Sequence, residues 1–62
     1  MAIAAYRRAI QQLGQMATLG PAAQARAEEL AQRLMDAIEG DGRLSAEARD
    51  ELTVDLMMAI LL

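Results

Sequence analysis

The sequence predicts an all-α fold: a three-helix domain, built as a helical hairpin plus a C-terminal helix, that completes its core by homodimerisation. Three observations carry this expectation. Ala, Leu, Met, Gln, Glu and Arg dominate the chain, and all are good helix formers. β-Branched residues are confined to four Ile, Val54, Thr18 and Thr53, too few to build a sheet. Two breaks, "LGP" at Leu19–Pro21 and "EGDG" at Glu39–Gly42, separate segments whose apolar residues recur at helical spacing. The expected helices span about 2–18, 21–39 and 45–61, within a single domain covering residues 1–62.

The first helix places Ile3, Tyr6, Ile10, Leu13 and Ala17 on one arc, flanked by Ala2, Ala9 and Met16. Arg7, Arg8, Gln11, Gln12 and Gln15 occupy the far side. Gly14 lies in the helix interior, where it costs about 1 kcal/mol relative to Ala. It fits either a close helix contact or a bend.

Pro21 suits the first position of the second helix, because it has no N–H to leave unsatisfied. Ala23, Ala27, Leu30, Leu34, Ala37 and Ile38 share one arc, with Ala31 and Met35 at its edge. Glu29 and Arg33 form an i,i+4 pair in the favourable order, worth about 0.2–0.5 kcal/mol. Ser45 is placed to cap the third helix, with Glu47 in its first turn.

The third helix departs from this pattern. Ala48, Leu52, Leu56, Ala59 and Ile60 form one stripe suited to packing on the hairpin. Val54, Met57, Met58 and Leu61 form a second, at i, i+3, i+4 and i+7, with Glu51 and Asp55 between the two. A three-helix domain needs only the first. The second is expected to be a protein interface. Chain length points the same way, since so short a domain buries only roughly 60% of its unfolded surface. With neither Cys nor His, disulfides and zinc are excluded as added support, and association remains.

A membrane is the weaker destination. Spanning needs about 20 predominantly apolar residues, and the run Leu56–Leu62 is preceded by Asp55, Glu51, Asp50, Arg49 and Glu47. The acidic edge also disfavours anionic lipid surfaces. No secretory signal is legible at the start, where Arg7 and Arg8 interrupt the apolar run, so a cytoplasmic location is expected.

Chemistry is limited by what the chain lacks. There is no His or Cys, and all six basic side chains are Arg. That leaves no usual acid–base group and no thiol or amine nucleophile. The neighbouring carboxylates Glu28/Glu29 and Asp50/Glu51 diverge on a helix. No catalytic, cofactor-binding or metal residue is assigned. The net charge of −3 argues against nucleic acid, as does a third helix carrying Glu47, Asp50, Glu51 and Asp55 against Arg49 alone.

"EGDGRLSAE" resembles part of an EF-hand calcium loop, with Gly42 at the turn and Glu39, Asp41 and Ser45 at oxygen positions. The resemblance fails at two required ligands, which fall on Ala37 and Ala48. The function expected is therefore a small, non-enzymatic protein-interaction module: an adaptor, small chaperone or inhibitor that binds itself and another protein. The alternatives are a structural oligomerisation or docking module of a larger assembly and, more remotely, a degenerate EF-hand-like hairpin.

Overall fold

Good helix formers and two punctuating loops give three helices: α1 (Ala2–Ala17), α2 (Pro21–Gly40) and α3 (Ala46–Leu61). The computed structural model describes residues 2–61, apart from the Leu61 side chain. Tyr6 near the start of α1 meets Ala37 near the end of α2, so these helices run antiparallel. Arg7 meets Glu51, and Gly14 faces Ala59, so α1 and α3 run parallel. The result is an up-down-up bundle with overall dimensions of 34 × 18 × 15 Å.

Each boundary has a local cause. Thr18 closes α1 by donating both its hydroxyl and its N–H to the Gln15 carbonyl, at 2.8 and 3.2 Å. Gly20 then adopts φ 149° and ψ 175°, backbone that only glycine takes without strain. Its carbonyl accepts the first bond of α2, from Gln24 N–H at 2.8 Å, and Pro21 follows at the start of the helix. Ser45 caps α3 as expected, its hydroxyl oxygen accepting Ala48 N–H at 3.1 Å.

The core consists of Ile10 and Leu13 from α1, Ala27, Ala31 and Ile38 from α2, Leu44 from the loop, and Leu52 and Leu56 from α3. Ile38, Leu52 and Leu56 are the largest fully buried side chains. Tyr6, Ala17, Leu30 and Leu34 of the predicted arcs pack partly buried against this core, whereas two other members are left in water. Ile3 and Ala37 are exposed, because Ile3 sits in the opening turn and the α2 arc turns toward Ala31 to meet two neighbours. Gly14 faces Ala59 across the α1–α3 contact: a Cβ there would lie 3.5 Å from Ala59 Cβ, ordinary packing distance that leaves room for a methyl group. Glu29 pairs with Arg26 at 3.1 Å, one turn earlier in the helix, in place of the expected Arg33. Among the described residues, no helix is long and apolar enough to cross a membrane.

Candidate interaction face and the loop latch

The helical period places Val54, Met57 and Met58 on the opposite side of α3 from Leu52 and Leu56. The structure bears out this separation of faces: Leu52 and Leu56 are each 1% exposed, whereas Val54 is 52%, Met57 45% and Met58 55% exposed. Leu61, the fourth residue of the predicted interface, continues the stripe within α3, but its side chain lies outside the described residues.

The flanks of this face differ. On one side Met58 and Asp55 border a groove of about 760 Å³ between α1 and α3, with Ile10 and Ala59 in its lining and Arg7 and Arg8 beside it. On the other, Met57 borders a smaller hollow of about 180 Å³ between α2 and α3, lined by Met35, Gln32 and Glu28. Toward the start of α3 the same face turns acidic. Glu47 and Asp50 precede Val54 by seven and four residues, and both are exposed. The face thus has an acidic beginning and an apolar end.

Among the described residues, α1 and α3 are joined by an ion pair, Arg7 to Glu51 at 3.4 Å. Both side chains are more than half exposed, so the pair contributes at most about 1 kcal/mol.

The loop between α2 and α3 carries a polar cluster centred on Asp41. Asp41 Oδ1 accepts the Arg43 backbone N–H at 2.9 Å and Arg43 Nε–H at 3.0 Å. Its Oδ2 accepts Arg43 Nη2–H at 2.9 Å and the Tyr6 hydroxyl at 2.8 Å. The Asp41 side chain is only 7% exposed, while that of Arg43 is 76% exposed. The Arg43 guanidinium, then the Arg43 N–H, then the Tyr6 hydroxyl hold this carboxyl well below the usual carboxylate range. Donation to Asp41 raises the Tyr6 pKa above its usual value, with desolvation and the Asp41 charge adding to the effect.

This latch ties the start of α1 to the loop that launches α3. In the sequence Asp41 stands out only as a calcium-loop oxygen and Tyr6 only as a member of the core arc. The Asp-x-Arg spacing was the available signal, and the tyrosine was not deducible because it lies 35 residues away. A cation at Asp41 would have to displace a guanidinium. Ser45, the other loop oxygen considered, caps α3. Among the described residues, no group of three or more carboxylates is placed to hold a metal ion.

No protein-family model, no curated protein and no solved structure matches the chain.

Proposed function

We propose that this protein is a small, non-enzymatic protein-interaction module that acts through the outer face of α3. One observation carries the reading: Val54, Met57 and Met58 stand together in solvent on a helix whose opposite face already completes a core. A contiguous apolar face of this kind marks an association site. Two flexible, polarisable methionines suit a surface that packs against more than one shape. The first partner is a second copy of the chain, giving a homodimer. Another protein presenting an apolar helix occupies the same face in an adaptor, chaperone or inhibitor role, with the cytoplasm as the proposed compartment.

Size exclusion coupled to light scattering tests this reading. Wild-type protein is expected at the mass of a dimer. Met57→Glu is expected at the mass of a monomer, because an unpaired carboxylate in a dry contact costs several kcal/mol. Gln11→Glu, on the polar side of α1, is expected to remain dimeric. A wild type that stays monomeric at high concentration overturns the proposal.

A further inference from the structure

We infer that Met57 and Met58 form a paired oxidation site, at which a peroxide converts two thioethers to sulfoxides and turns the outer face of α3 from apolar to polar. The site itself rests on where the sulfur atoms lie. Its consequence for association rests on the reading of that face as a binding surface.

Sulfur is unevenly distributed in this molecule. The chain has no cysteine and five methionines, so its oxidisable sulfur is all thioether. Among the described residues, the buried core is built of Ile, Leu and Ala alone. Met16 and Met35 are partly buried and pack against that core. Met57 and Met58 instead stand in solvent, on the side of α3 opposite Leu52 and Leu56. Met1 lies outside the described residues. An oxidant must reach the sulfur lone pair, so exposure sets the order of reaction. The outer pair reacts first.

The step is an oxygen transfer. The thioether lone pair attacks one oxygen of hydrogen peroxide, and an S–O bond forms as the O–O bond breaks. The departing hydroxide takes the remaining proton and leaves as water, with the sulfur oxidised by two electrons. Each sulfoxide replaces an apolar side-chain end with a polar one. A dithiol-dependent sulfoxide reductase restores the thioether: two thiols close to a disulfide and the oxygen leaves as water.

The pair covers both flanks of the helix. Met57 borders the hollow between α2 and α3, and Met58 the groove between α1 and α3. Double oxidation leaves Val54 as the exposed large apolar side chain of the stripe among the described residues. Because the core holds no sulfur, the change stays on the surface and the bundle keeps its fold.

Hydrogen peroxide added to the dilute full chain tests the site. Cleavage by trypsin after Arg8, Arg26, Arg33, Arg43 and Arg49 places Met16, Met35 and the Met57–Met58 pair in separate peptides. Mass spectrometry over a time course is expected to show the outer pair oxidised several-fold sooner than Met16 or Met35. The helical circular dichroism signal should persist while retention on a hydrophobic-interaction column falls. A Met57→Leu/Met58→Leu variant, apolar but without sulfur at these positions, should keep its own retention in the same peroxide. Oxidation of Met16 or Met35 as fast as the pair overturns the site. Loss of helix in step with oxidation of the pair, or an equal fall in retention of the leucine variant, overturns the change of face. Where reduced wild type has the mass of a dimer, the oxidised protein is expected at that of a monomer, and an oxidised dimer overturns control of association. A reduced wild type that is already monomeric removes the association reading alone, since peptide map and retention are read on the single chain.

Discussion

Leu56 and Met57 are neighbours in sequence on one helix, yet their environments are opposite: Leu56 is 1% exposed and Met57 45%. The same contrast separates α3 from α2. On α2 the buried residues Ala27, Ala31 and Ile38 face inward, while Glu28, Glu29, Gln32, Arg33 and Asp36 face water. On α3 the apolar residues surround the helix toward its end. A helix with a single apolar face has completed its packing once the domain folds. A helix with two leaves the second exposed, and on α3 that is the face proposed for association.

The largest expected effect lies on the inner face. Leu56→Ala should cost about 2–5 kcal/mol, the range for a buried leucine truncated in a core, and much of the helix signal should be lost for so small a domain. Met57→Ala should change monomer stability by no more than about 0.5 kcal/mol while weakening association. Urea titration followed by circular dichroism measures both. Equal losses would mean that the two faces are equally part of the core.

The hairpin that receives the inner face depends on its first turn. Gly20→Ala puts a side chain at φ 149° and should destabilise by about 1–3 kcal/mol. A neutral effect would show that the α1–α2 turn relaxes without disturbing the floor beneath Leu56.

Gly14→Ala sharpens the comparison in the opposite direction. It removes a helix-interior glycine, and the new Cβ lands in contact with Ala59 on the inner face. A gain of up to about 1 kcal/mol is expected, read as a higher melting temperature. A loss would mean that α1 and α3 need to approach more closely than this spacing.

The smallest effect concerns the latch, which fixes where α3 starts regardless of what its faces meet. The Asp41 pKa is lower folded than unfolded, so its stabilisation is present above the unfolded value of 3.8 and is lost as pH falls below it. Melting temperature in that acid range should fall less steeply for Asp41→Asn than for wild type. Superimposable slopes would remove the latch from the pH dependence. Tyr6 gives the complementary alkaline signal: its raised pKa means this contribution persists below the unfolded value of 10.0 and is lost as pH rises through the higher folded value. As the only aromatic side chain, Tyr6 can be titrated directly by ultraviolet absorbance, and Asp41→Asn should lower the midpoint.

Helix number, near-final boundaries, the Ser45 cap and the division of α3 into two apolar stripes were all legible in the linear sequence. They depend on local causes: propensity, a period of 3.6 residues, a hydroxyl at the N-cap, and glycine and proline at a turn. Which of two possible arcs of a helix is covered is not local. Ile3 and Ala37 carried the same periodic signal as Ile10 and Ile38, and only the positions of neighbouring helices left them in water. The role of Gly14 likewise waited on Ala59, 45 residues later, and the Asp41 latch waited on a tyrosine in another helix. Periodicity says which side chains share a face. Only the tertiary arrangement, through excluded volume and hydrogen bonds between residues distant in sequence, decides what each face touches.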